Sequence, residues 1–250
     1  MDARLVVALV LLLPVSCAAF EHQAWDQLLR KHVVVLDGGK ASQLSYAGMA
    51  QSRKALKSYL DGLSRVSEAE FRSWPRAGQM AFLINAYNAF TVEKILTRYP
   101  DIRSIRDFGR FFGNPFKDEF FSLFGRKFTL DRIEHDTLRK EYRDPRIHYA
   151  VNCAAVGCPM LREEAYVAAR LEQQLDEQAV RFLSDRTRNR VAGGRLEVSR
   201  IFDWFQEDFE PRETYFARYA AVLGLTGGVP PLSFLDYDWS LNDFRSSSPR

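Results

Sequence analysis

Cysteine is scarce in this chain, with three in 250 residues. One of them, Cys17, falls in an N-terminal leader, which leaves Cys153 and Cys158 for the folded part. So few cannot build a disulfide scaffold, and a hydrophobic core has to hold the fold. An excess of one charge is also missing. The net charge is +3 with arginines scattered among acids, so there is no basic stripe and no nucleic-acid partner is expected. Beyond the leader no apolar run is long enough to span a bilayer. Repeats, linkers and low-complexity blocks are absent. So are a glycine-rich phosphate loop before a helix, a G-x-S-x-G elbow and an H-E-x-x-H zinc motif.

What the chain does have is core-forming material. Hydrophobic residues make up 46% and charged residues 27%, with 19 Phe, which describes a folded globular domain rather than a disordered one. Its start reads as an export signal. Arg4 precedes the apolar run Leu5 to Leu13, Pro14 breaks it, and Ser16-Cys17-Ala18-Ala19 supplies small residues for cleavage. The expected organisation is a signal peptide over 1–19, a single domain over 20–245 and a frayed tail over 246–250. The protein is expected to be periplasmic or otherwise exported. The tetrad Pro14-Val15-Ser16-Cys17 keeps a lipid anchor at Cys17 as the alternative to ordinary cleavage. In such a compartment disulfides are allowed, so Cys153 and Cys158 cannot be assumed free.

Periodicity predicts a short amphipathic helix around Trp25, Leu28 and Leu29, a strand-like Val33 to Leu36, and a second helix over Ser52 to Leu60. Ser67 and Glu70 have capping-box spacing. From Pro75 a helix apolar around most of its circumference runs until Pro100 stops it, the mark of a buried helix. It carries Asn85 and Asn88, and buried amides must be hydrogen-bonded, either bracing backbone or lining a site. A hairpin is expected around Gly125-Arg126, and another at Gly193-Gly194. Between them Thr129 caps a helix, LDRIEHDTLRKEY, whose Glu134 falls inside the apolar arc and must face something polar. A helix over Ala168 to Leu183 and a last one from Glu213 to Leu223 complete an α+β domain of packed helices and small antiparallel sheets. Such an architecture is expected to resemble papain-like thiol hydrolases.

Chemistry concentrates in RIHYAVNCAAVGCPML. The alternation Ile147, Tyr149, Val151 reads as a strand that ends on Asn152 and Cys153, followed by a small-residue loop to Gly157-Cys158-Pro159. A thiol at a strand end can act as a nucleophile when a histidine takes its proton and an acid orients the imidazole. On a regular strand His148 faces away from Cys153, which favours His135 as the base, with Glu134 as orienter and Asn85 as the fallback. Asn88 and Asn152 join Asn85 as substrate-binding or orienting candidates. Backbone N–H groups after Cys153 would form an oxyanion hole. Two duller arrangements compete: a Cys153–Cys158 disulfide, and zinc held by Cys153, Cys158, His135 and His148, whose spacing fits no common zinc pattern. Asp203, Trp204, Asp208 and Phe209 read as a helix anchor.

AFLINAYNAFTV, LDRIEHDTLR, DPRIHYAVNCAAVGCPML, EEAY and RIFDWFQEDF together resemble the domain of unknown function 547 family, from about Trp25 to Phe209. The resemblance implies that Asn85 and Asn88, Ile133-Glu134-His135, and Cys153 are the family's characteristic positions. It also implies that the second cysteine is dispensable, which weighs against the disulfide and zinc readings. Leu83 stands where the family has Trp, and Ala155 where it has a hydroxyl residue. The expectation is a thiol hydrolase or acyltransferase acting on an amide or peptide-like bond of a small-molecule or peptide substrate, with Cys153, His135 and Glu134 catalytic and no cofactor. The alternative is a non-catalytic envelope binding or structural domain with the cysteines joined.

Overall fold

A computed structural model of the chain describes residues 19–109 and 113–245. Residues 1–18, which hold Cys17 and most of the expected signal peptide, and residues 246–250, the expected tail, lie outside the described residues. From Ala19 the chain is already packed. Phe20 lies against Tyr59 and Phe82, and Ala19 closes over Gly78.

The first half is helical around one long buried helix. Helix α1 (Gln23–His32) leads into the hairpin β1 (Val33–Leu36) and β2 (Ala41–Leu44), then α2 (Tyr46–Gln51), α3 (Arg53–Arg65) and α4 (Glu68–Ser73). Ser67 accepts a hydrogen bond from the Glu70 N–H at 3.1 Å, the cap its spacing predicted. Helix α5 (Arg76–Leu96) is buried on nearly every side, as an apolar circumference requires. The hairpin β3 (Phe121–Leu123) and β4 (Arg126–Phe128) turns through Phe124 and Gly125, both at positive φ. Helix α6 (Leu171–Ser184) follows. Then come β5 (Arg190–Ala192), β6 (Arg195–Val198), α7 (Ile201–Trp204), α8 (Arg212–Arg218), α9 (Ala220–Leu223) and β7 (Leu232–Phe234). Among the described residues no helix is long and apolar enough to cross a membrane.

The α+β reading holds, with three local corrections. One sheet is mixed: β5 and β6 pair antiparallel, but β7 pairs parallel to β6. Parallel neighbours need a long crossover, here made by α7 to α9. The segment expected as a strand, Ile147 to Val151, is instead a 3₁₀ helix, Pro145–Tyr149. Asp144 accepts a hydrogen bond from the Arg146 N–H at 2.9 Å, and Pro145 opens the helix. That start signal overrides the alternation. Last, the helix Arg132–Tyr142 is wound with the wider i→i+5 bonding of a π-helix. Thr129 caps it as expected, accepting from the Arg132 N–H at 3.0 Å.

Two apolar clusters fill the interior. The larger surrounds α5. The smaller gathers Phe202, Phe209 and Phe216 beneath the mixed sheet. Helix α6 joins them, with Leu171 and Leu175 in the first and Phe182 and Leu183 in the second. Tyr149, at the end of the 3₁₀ helix, belongs to the smaller cluster, and Val151, two residues on, to the larger.

Candidate functional site

A cavity of about 130 Å³ opens where the two clusters meet. Glu134 and His135 reach it from the π-helix, His148 from the 3₁₀ helix, and Cys153 and Cys158 from the loop beyond. Tyr87 of α5 lines it too, as do Trp204 and Phe205 at the end of α7, and Tyr237 and Trp239 of the C-terminal segment. In a π-helix each residue turns less than in an α-helix, so neighbours diverge less and both Glu134 and His135 meet the same space.

The cysteine sulfurs are joined as a disulfide. The Cys153 N–H donates to the Cys158 sulfur at 2.9 Å, and the Tyr237 hydroxyl lies 3.2 Å from the Cys153 sulfur. Sulfurs so joined are not thiolate ligands, and among the described residues no group of three or more His, Cys, Asp or Glu has the arrangement of a metal site.

His148 is sealed, its side chain 1% exposed, and it stacks on Phe205 with ring centres 4.2 Å apart. Its Nε2 lies 2.6 Å from Asp208. A carboxylate only accepts, so Nε2 carries the proton. Nδ1 faces Glu134 at 3.9 Å, beyond hydrogen-bond reach. Burial pushes the Asp208 carboxyl up, but hydrogen bonds from His148 and Arg139 outweigh it and hold Asp208 at about 2. His135 is different. Arg139, a donor only, gives a hydrogen bond to its Nδ1 at 3.0 Å, so its proton sits on Nε2, 3.7 Å from Asp131. Arg139 feels the Glu134 charge but gives its hydrogen bonds to Asp208 and His135. Glu134 faces His148 and hydrogen-bonds the Tyr87 phenol, which is pushed well up by burial first and by the Glu134 charge second.

The three asparagines do not line the cavity. Asn85 donates to the Tyr166 carbonyl at 2.8 Å and accepts from the Tyr166 N–H at 3.1 Å. Asn88 likewise donates to the Ala150 carbonyl at 2.9 Å and accepts from the Asn152 N–H at 2.8 Å. Asn152 donates to the Pro159 carbonyl at 2.8 Å and accepts from the Ala154 N–H at 3.0 Å. Each amide stands in for a strand neighbour, and Asn88 and Asn152 hold the irregular backbone that carries Cys153.

The expected oxyanion hole is not open. The Ala154 N–H is taken by Asn152. Those of Val156 and Gly157 donate at 2.8 Å to the carbonyls of Ser240 and Asp238. The C-terminal segment straps down the whole loop, and Asn242 donates back to the Ala154 carbonyl. Gly157 is required for this approach. A Cβ there would lie 3.0 Å from both the backbone N and O of Asp238. Trp204, which lines the cavity, and Asp208, which bonds His148, were read in the sequence only as a helix anchor, and Tyr237 and Trp239 were not singled out. The acidic-aromatic phrase IFDWFQEDF held the signal for the first two, whereas nothing in DYDW marks it as a strap over a loop eighty residues earlier.

Residues 71–183 match the family described as "Protein of unknown function, DUF547", which supports the resemblance its phrases led us to expect. No curated protein and no solved structure matches.

Proposed function

We propose that this cavity is the active site of an exported thiol hydrolase or acyltransferase for amide or peptide-like bonds, with Cys153 reacting in its reduced state. The observation that carries the reading is the acid-oriented imidazole of His148, its Nδ1 without a hydrogen-bond partner in reach, lining the same cavity as Cys153. This shifts the base from His135, whose Nδ1 already accepts from Arg139 and whose Nε2 is protonated. A dithiol reductant first transfers two electrons to the disulfide, leaving two thiols. His148 Nδ1 then takes the Cys153 proton, and the imidazolium is held between Asp208 and Glu134. The thiolate adds to the substrate carbonyl. Tyr237, kept protonated because burial pushes its phenol up, donates to the oxyanion. His148 returns its proton to the leaving amine, and water or an acceptor amine releases the acyl group. The kinship with papain-like thiol hydrolases is part of this proposal.

The test is iodoacetamide labelling of the reduced protein between pH 5 and 8, read by peptide mass. Cys153 should label faster than Cys158 and keep its rate into mild acid, and His148→Ala should abolish that advantage. Loss on His135→Ala but not His148→Ala would return the base to His135. Labelling of Cys153 no faster than free cysteine would remove the thiol reading.

The disulfide itself favours a second reading, a non-catalytic envelope domain in which the pair pins the loop. In that case Cys153→Ser would lower the unfolding midpoint while leaving ligand binding in place.

A further inference from the structure

We propose that the cavity receives a ligand end bearing a cationic nitrogen, an ammonium or guanidinium group, held by the aromatic collar Trp204, Tyr237 and Trp239 above the carboxylates of Asp131 and Glu134. The inference rests on this cavity being the working site, and it does not require the thiol chemistry.

The three rings form one cluster at the cavity. Trp204 and Tyr237 have centres 4.8 Å apart, Tyr237 and Trp239 4.7 Å, and Trp204 and Trp239 5.7 Å. Trp204 is 45% exposed, a large apolar surface that the fold itself does not cover. Tyr87, Phe116 and Phe205 continue the aromatic lining inward. Aromatic faces are electron-rich and attract cations, tryptophan most strongly. The rings' surroundings already behave this way: the Arg106 guanidinium lies 5.2 Å from the Trp239 centre and that of Arg139 5.0 Å from Phe205. Among the described residues no cation of the protein lies over Trp204, Tyr237, Tyr87 or Phe116.

Charge points the same way. Asp131 and Glu134 line the cavity, and among the described residues no lysine or arginine does. Arg139, whose charge also reaches Glu134, hydrogen-bonds Asp208, and Arg188 is bonded to Asp185 and the Val156 carbonyl. The charged groups of the described lining besides the two histidines are therefore carboxylates, in an otherwise slightly basic chain. An anionic ligand end would meet repulsion there, and a neutral apolar one would gain nothing from the carboxylate charges. A space of about 130 Å³ fits one small head group, with the rest of the ligand lying across the exposed face of Trp204.

The experiment titrates the full oxidised protein with tetramethylammonium, methylammonium and methylguanidinium chlorides. The neutral isostere tert-butanol is the reference at fixed ionic strength, and tryptophan fluorescence and calorimetry are the readouts. At least one cation should bind about tenfold or more tighter than the isostere, a gap of roughly 1.4 kcal/mol. Trp204→Ala, at an exposed position that leaves the core alone, should weaken the cation about tenfold, while Trp204→Phe keeps most of the affinity. Asp131→Asn should weaken the cation without changing the isostere. Equal affinity for cation and isostere, binding by neither, or indifference to Trp204→Ala would overturn the proposal. Cation binding by a protein whose Cys153 proves inert would sink the thiol chemistry alone. A labile Cys153 with no cation binding would sink only this inference.

Discussion

An imidazole buried between two carboxylates has its proton inventory set before any ligand arrives. In His148 the Asp208 carboxylate fixes Nε2 as the donor, and Nδ1 is left facing Glu134 at 3.9 Å. Asp208 is held at about 2 against an ordinary 3.8, so its contribution to stability is fully present above pH 3.8 and is lost as pH falls toward 2. That shift corresponds to on the order of 2 kcal/mol. Urea unfolding at pH 5 and pH 2 should show this acid-side loss in the native protein and a smaller one in Asp208→Asn. At Asn88 the expected effect is larger. Replacing it by Ala leaves the Ala150 carbonyl and the Asn152 N–H buried and unpaired, at a cost of about 2–5 kcal/mol, measurable by the same method. That such amides must be bonded was legible in the sequence. Their partners were not, because the backbone they brace is more than sixty residues away.

Among the elements, the long helices were legible because each carries its apolar face at helical spacing, and Ser67 and Thr129 because a cap is a local interaction between near neighbours. The 3₁₀ helix was misread since Ile147, Tyr149 and Val151 alternate like a strand, while Asp144 and Pro145, which decide the matter, form only a two-residue signal. That error also sent His148 to the wrong side, since the argument against it assumed strand geometry. The π-helix was hidden for a related reason: residue spacing reports which face is apolar, not which carbonyl each N–H reaches. Thr129→Ala should lower stability by about 1 kcal/mol in chemical denaturation by uncapping this helix, and should slow any Cys153 labelling that depends on Glu134.

On the scale of the whole molecule, stability should be steeply sensitive to mild acid through a group far from the cavity. His22 is buried against Tyr59, bonded at 2.7 Å, and burial lowers it from 6.5 to about 3. The unfolded chain therefore binds a proton that the folded one refuses. This contribution is complete above pH 6.5 and is lost as pH falls toward 3, at about 1.4 kcal/mol per unit across that window. The thermal midpoint should drop between pH 7 and pH 4, and His22→Gln, which keeps a partner for Tyr59, should flatten the slope. The two-cluster interior was not visible in composition, because the Phe residues that build it are spread along the chain and only the fold sorts them.

The strap from Tyr237 to Asn242 has a consequence for the order in which the protein comes into being. Synthesis runs from the N-terminus, so both cysteines and both histidines have emerged long before the residues that cover them. During that interval the loop from Cys153 to Cys158 is uncovered, and whatever meets its thiols, an oxidant or a reductant, does so without Tyr237 or Trp239 in the way. The cavity gains its outer wall only when the last segment docks.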